Sequence, residues 1–200
     1  MATRRSAPKA TTMSWEQFLD WMDEDTLAEW VDGEVVVTSP ANRDHEGLFG
    51  FLLALLRAYV EVHQLGEVLG SRFFTRLPRS GREPDLMFVA TAHLDRLTPT
   101  YLDGPPDLVV EIISPESEQR DRVEKRHEYE QAGIPEYWLL DPARREATFL
   151  LLGADGRYAP ASATGGVYRS RILPGFQLPL DWLWTPPPLL EALHHLGLTN

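Results

Sequence analysis

The sequence predicts an α/β domain: a mixed central sheet flanked by helices, opened by an N-terminal helix and hairpin and closed by a C-terminal antiparallel extension. Three observations predict it. Short β-prone runs recur along the chain, and two longer stretches between them read as helices. The third is DLVVEIISPES (residues 107–117), which looks like a strand buried on both faces yet holds Glu111 at its centre. An ionised carboxylate taken out of water is costly unless a cation or hydrogen-bond donors compensate it. What Glu111 faces is therefore the first question the sequence poses.

The elements follow in order. In SWEQFLDWM, Ser14 and Gln17 have capping-box spacing, and Trp15, Phe18, Leu19 and Met22 form one apolar helical face. LAEWVDGEVVVT reads as a hairpin turned at Asp32-Gly33, a dipeptide suited to a type I′ turn. After Ser39-Pro40, Leu48, Leu52, Leu55, Leu56 and Tyr59 mark a long helix from about Asp44 to His63. GEVLGSRFFTRL, PDLMFVA and PPDLVVEIIS are strands. A very polar helix is expected from Glu116 to Ala132, stopped by Gly133. EYWLLD is a further strand, and REATFLLL, RYAP and VYRSRIL form the antiparallel extension. The Pro-rich, apolar PGFQLPLDWLWTPPPL packs as an irregular cap before a short terminal helix.

With 200 residues, 43% hydrophobic and 24% charged, the chain has the composition of one soluble domain, expected over 14–200 behind a disordered tail at 1–13. No apolar run approaches the ~20 residues that span a bilayer. MATRRSAPKATT is basic but lacks the apolar stretch of a secretory signal. Cysteine is absent, which removes disulfides, thiol nucleophiles and Cys-based metal sites and fits a cytoplasmic protein. The net charge of −11 argues against a broadly basic nucleic-acid surface, so phosphate binding needs a local positive strip or a bound metal.

Asp85 follows Pro84 at the start of LMFVA, while Glu111 sits inside its strand, sharing a face with Val109 and Ile113. Alone, Asp85 reads equally as an ordinary strand-end acid, and Glu111 as a buried acid paired with a cation. In PESEQRDRVEKRHEYEQ the only large apolar residues are Val123 and Tyr129, and Asp121, Lys125 and Tyr129 recur at intervals of four along one face. That face is either solvated, with Asp121 and Lys125 as a surface ion pair, or turned toward the strand, where Lys125 meets Glu111. Two carboxylates and an ammonium suit a hard divalent cation, Mg²⁺ or Mn²⁺, held by Asp85 and Glu111. Such an ion polarises a phosphoryl oxygen and acidifies its water, while the lysine positions the water or stabilises developing charge.

Pro84-Asp85 followed by Glu111 on the next core strand resembles the PD-(D/E)XK nuclease superfamily. EWVDGE, SPANRDHE, EPDLMFV, PDLVVEIISPES, the D-x-x-x-K of Asp121 and Lys125, and GIPEYWLLDP, in that order, resemble its Uma-type branch of restriction-endonuclease-like proteins, long catalogued as a domain of unknown function. The resemblance spans about residues 14 to 180. It implies a restriction-endonuclease-like mixed sheet between helices, a magnesium-dependent phosphodiesterase site with Asp85, Glu111 and Lys125 as its catalytic groups, and frequent homodimers. Glu29 in the hairpin and His45 at the start of the long helix match family positions and are expected to be auxiliary, with Asp121. One departure stands out. The superfamily motif would place a lysine at 113, where this chain has Ile113, so the amine must come from Lys125 on the following helix.

Arg72, Arg76, Arg79 and Arg82 in SRFFTRLPRSGRE suggest a phosphate-tracking strip, with Phe74 between its first two cations, or simply an exposed strand and loop kept soluble by arginine. No metalloprotease, phosphate-loop, dinucleotide-binding or serine-hydrolase motif is present. The function expected is a metal-dependent endonuclease acting on DNA. The alternative is a catalytically silent nuclease-fold module acting through protein partners, and an RNA or nucleotide substrate fits the same residues. PLDWLW and the proline run offer apolar surface for a homodimer.

Overall fold

The computed structural model describes residues 12–23, 26–37 and 42–199. Most of the expected tail, residues 1–11, lies outside them, as does part of the SPANRDHE block. The capping box forms as the spacing predicts. Ser14 Oγ accepts from the Gln17 N–H at 3.2 Å, and the Gln17 side chain accepts from the Ser14 N–H at 2.8 Å, opening α1 (Trp15–Trp21). Trp15 and Phe18 enter an aromatic cluster, each edge-on to Phe74. β1 (Ala28–Val31) and β2 (Glu34–Val37) make the hairpin, with φ of 50° at Asp32 and 90° at Gly33, the conformation a type I′ turn needs. Asn42 then caps α2 (Arg43–Val62), its Oδ1 accepting from the Asp44 and His45 N–H groups at 3.0 Å each.

GEVLGSRFFTRL is not one strand. Arg72, at φ 75°, turns the chain between β3 (Gly66–Gly70) and β4 (Phe74–Arg76), and the two join different sheets. β5 (Ser80–Arg82) returns antiparallel to β4, and β6 (Leu86–Ala90) follows. A 3₁₀ turn over Thr91–Arg96 leads to β7 (Tyr101–Asp103) and then β8 (Leu108–Ile112). The expected long polar helix is π-helical over Arg120–Lys125 before becoming α3 (Arg126–Ala132), which ends at Gly133 with φ 79°. β9 (Glu136–Asp141), β10 (Glu146–Leu152) and β11 (Tyr158–Ala161) come next. β12 (Val167–Arg169) pairs with β13 (Gln177–Pro179), and a 3₁₀ turn at Leu180–Leu183 precedes α4 (Leu189–His195).

The main sheet has the order β11-β10-β9-β8-β6-β3 and is mixed: β8 and β9 run parallel, and the other pairs are antiparallel. A second sheet, β2-β1-β5-β4-β7, carries the hairpin; the sequence suggested one sheet because nothing in it marks the switch at Arg72. β8 and β9 are buried along their whole length, as a parallel pair joined by a helical crossover should be. Leu86, Val110 and Trp138 face the core under α2. Val109 and Ile113 face the other way, into a cluster with Tyr129 and Tyr137 beneath α3. Glu111 lies between those two and so points at the polar helix. Trp182 and Trp184 pack against the main core. Among the described residues no helix is long and apolar enough to cross a membrane.

Candidate active site

β6 and β8 pair antiparallel with Leu86 opposite Val110, so continuing the register by one residue sets Asp85 opposite Glu111. Asp85 Oδ2 accepts the Ile112 N–H at 2.7 Å, and its Oδ1 lies 3.1 Å from His45 Nε2 in the first turn of α2. Glu111 is 2% exposed, and its Oε1 accepts from Lys125 Nζ at 2.9 Å and from Tyr129 Oη at 2.7 Å. The question posed by the sequence thus has a direct answer: Glu111 faces an ammonium and a phenol from the helix that crosses over it.

Lys125 is equally buried. Its Nζ also lies 3.1 Å from Glu29 Oε1 and 3.5 Å from Asp121 Oδ1, so one ammonium with three protons meets three carboxylates. The π-helical turn holds Asp121 and Lys125 inward while Val123 is left 52% exposed, so the Asp121–Lys125 pair is part of the site and not a solvated surface pair. Glu29 Oε1 further accepts the Glu83 N–H at 3.2 Å, and its Oε2 pairs with Arg82 Nη1 at 2.9 Å. All these groups lie on or beneath one cleft of about 230 Å³, lined by Glu29, Glu83, Asp85, Glu111, Asp121 and Lys125.

The electrostatics follow from that crowding. Burial opposes the Lys125 charge, but Glu111, Glu29 and Asp121 outweigh it and hold the ammonium above its ordinary range. Burial pushes Glu111 up, with Lys125 pulling against it and Asp121, Asp85 and Glu29 adding to it. Burial likewise raises Asp121, and it pushes Glu83 up to about 7. Glu29 goes the other way: Lys125, Arg82 and Arg120 overcome its burial and bring it to about 2. His45 is raised because the hydrogen bond and charge of Asp85 outweigh its burial.

Asp85, Glu111 and Lys125 therefore come together, and Glu29, His45 and Asp121 join them. The arginine strip does not hold. Arg82 is 1% exposed, its guanidinium shared between Glu29 and Glu128, because β5 is buried on both sides between β1 and β4. Phe74 is buried in the α1 aromatic cluster and not displayed between cations. Arg79 is exposed and paired with Asp32 at 2.7 Å, and Arg76 lies near Glu16 and Asp103. Arg72 alone of the four lines the cleft. Three contributors escaped the sequence reading. Glu83 was hidden beside the Pro84-Asp85 pair, Arg120 was one cation within a charged run, and Ser117 preceded the helix with no distinguishing neighbour. Among the described residues no three histidine, aspartate or glutamate side chains form a ready-made metal cage.

Comparison with known proteins agrees with the architecture. A crystal structure described as "a putative nuclease belonging to DUF820" from Anabaena variabilis ATCC 29413 superposes with a TM-score of 0.73 at 13% identity, covering 86% of this chain and 98% of that one. At that identity the likeness shows a shared fold. No curated protein matches the chain. The family model Uma2, described as "Putative restriction endonuclease", matches residues 15–181, and the chain belongs to that family.

Proposed function

We propose that the protein is a metal-dependent endonuclease that hydrolyses DNA phosphodiester bonds, with Asp85 and Glu111 as metal ligands and Lys125 as the catalytic amine. One observation carries the reading: a buried ammonium 2.9 Å from a strand carboxylate, beside a second carboxylate on the neighbouring strand, all on one cleft. Family membership supports it independently.

The residues present fit a hard divalent ion. The cleft holds several carboxylates: Asp121 Oδ1 and the facing Arg120 Nε, 3.9 Å apart, are both buried without a hydrogen-bond partner, and Glu83, Glu111 and Asp121 are all raised. Two carboxylates with room for water and a substrate oxygen suit Mg²⁺, which keeps much of its hydration, better than an all-protein cage would. When bound, such an ion polarises the phosphoryl oxygen and lowers the pKa of its water. The chain's own groups do the rest. Tyr129 and Lys125 fix Glu111, and the Ile112 N–H and His45 fix Asp85. Lys125, held charged, orients a water through its protons or stabilises negative charge on the phosphate in the transition state. Arg72 and Arg120 line the same cleft and supply local positive charge against the net −11. The proposal includes a homodimer; PLDWLW, which the sequence offered as its apolar surface, packs instead against the core, and exposed Val62, Leu189 and Leu190 are the apolar surface left for it.

Net charge alone favours the second reading, a catalytically silent module acting through protein partners. Nicking of supercoiled plasmid with Mn²⁺ separates the two. The wild type is expected to nick and Asp85→Ala to lose at least about 100-fold, the scale of a several-kcal/mol loss of metal assistance. Equal activity in both proteins, or none in either across metals and substrates, overturns the enzyme reading.

A further inference from the structure

We propose that Arg82 and Glu128 are positioning residues for the Lys125 ammonium, acting through Glu29 across a buried relay that ends outside the catalytic cleft. The proposal rests on the reading of Lys125 as the catalytic amine, but the relay is a matter of geometry. Lys125 Nζ lies 3.1 Å from Glu29 Oε1, and the other oxygen of that carboxylate accepts from Arg82 Nη1 at 2.9 Å. The remaining edge of the Arg82 guanidinium makes a fork on Glu128: Nε donates to Oε2 at 2.9 Å, and Nη2 donates to Oε1. Ser80 Oγ donates to the same Oε2 at 2.9 Å. Glu128 lines a separate groove with Val31, Leu77 and His127 and touches neither Lys125 nor the cleft.

Each link restricts the next. Lys125 has a flexible four-carbon stem and a point charge, so its acceptors set where the charge sits. Glu29, Glu111 and Asp121, the carboxylates around it, all line the cleft. Glu29 is the acceptor anchored from behind, by a planar guanidinium with a fixed spread of donors. Burying that guanidinium carries a desolvation cost that apolar residues of similar volume would avoid. Outer groups that orient a reacting side chain are the use that justifies such a cost. Without the Glu128 charge, Arg82 is left with Glu29 as its sole anionic partner and draws that carboxylate away from Lys125.

The chain has an unusual advantage for testing this: it has seventeen arginines and two lysines, Lys9 and Lys125. In a Lys9→Arg background labelled with ¹⁵Nζ-lysine, the single ammonium resonance belongs to Lys125. A buried ammonium hydrogen-bonded to Glu111, with Glu29 and Asp121 within 3.5 Å, is expected to exchange slowly and give a sharp cross-peak. Glu128→Gln is expected to move that peak and speed its exchange by about tenfold or more, and Arg82→Lys to do so further, while exposed Arg79→Ala leaves it in place. In Mn²⁺ plasmid nicking, Glu128→Gln is expected to lower the maximal rate by about 10- to 100-fold, the usual scale for an outer orienting group, with the half-saturating plasmid concentration within about twofold of wild type. Ser80→Ala, which removes one of the three hydrogen bonds to Glu128, moves the same peak by less and serves should Glu128→Gln not fold. An unchanged Lys125 peak in folded Glu128→Gln, or in Ser80→Ala if that alone folds, overturns the proposal. Should the wild type nick nothing, the nuclease reading fails, and the resonance still decides whether the relay positions the amine.

Discussion

Glu29→Gln removes a single charge from the centre of the network and gives the sharpest measure of what that network contributes to stability. Burial works to raise the Glu29 pKa, but Lys125, Arg82 and Arg120, with the Glu83 N–H, bring it from 4.5 to about 2. The folded value lies below the unfolded one, so the charge stabilises the fold above pH 4.5, and the contribution is lost as the pH falls through 2. At about 1.4 kcal/mol per pH unit, that gap is worth roughly 3 kcal/mol at neutral pH. Breaking one arm of a buried ion pair falls in the same range, about 3–5 kcal/mol. Urea unfolding in the presence of EDTA is the assay. With a slope near 2 kcal/mol per M, the midpoint of Glu29→Gln at pH 7 is expected to fall by about 1.5 M. At pH 3.5 the wild type has already lost part of the contribution, and the gap narrows to about 2 kcal/mol. A difference under about 1 kcal/mol at pH 7, or one that widens toward acid, refutes the reasoning.

Two further outcomes test the fold around the site. A Cβ added at Gly81 would stand 2.0 Å from the Trp15 ring, so Gly81→Ala is expected to cost about 1–3 kcal/mol and to alter the near-UV tryptophan signal as α1 lifts from β5. Glu136 is buried with no ion-pair partner among the described residues and accepts from Trp138 Nε1, Tyr168 Oη, Ser170 Oγ and the N–H groups of Arg171 and Ile172 at 2.7–3.1 Å. An amide there turns one acceptor into a donor facing donors, so Glu136→Gln is expected to lose about 2–4 kcal/mol, or roughly 5–10 °C in Tm by calorimetry. Glu136 shares the Trp138 face of the sheet, opposite Glu111, so Lys125 keeps its partners.

Much of the fold was legible because local rules and tertiary packing agree along most of the chain. The Ser14 capping box, the Asp32-Gly33 turn, the buried face of α2 and the Gly133 stop each follow from a few neighbouring residues. What escaped was non-local. Arg72 adopts a positive φ with nothing in SRFF to announce it, at the turn between β3 and β4, which lie in different sheets. The π-helical turn at Arg120–Lys125 was equally silent, because an α-helix and a π-helix of the same polar residues share one composition.

The site was legible in proportion to how badly each residue broke a rule. Glu111 stands among apolar strand residues, so a partner had to be sought, and the spacing of Asp121, Lys125 and Tyr129 indicated where. Arg82 broke no visible rule. An arginine after Ser-Gly reads as surface, and only the second sheet, closing β1 and β4 on either side of β5, turns it inward toward Glu29 and Glu128. Yet the buried guanidinium completes the electrostatic account. Glu29, Glu111 and Asp121 around one ammonium leave an excess of buried negative charge, which Arg82, shared with Glu128, meets at Glu29 from behind and Arg120, 3.9 Å from both Glu29 and Asp121, meets from the cleft. Among the described residues Glu111 pairs with Lys125 alone, and it lines the cleft beside Asp85 and Asp121. A network built only for stability would place its cations to neutralise every acid, or replace the whole set with packed apolar groups at no loss. Here, among the described residues, Glu29 has three cations within 4 Å, Lys125, Arg82 and Arg120, and Glu111 only Lys125. That asymmetry is the feature on which the proposed cation site rests.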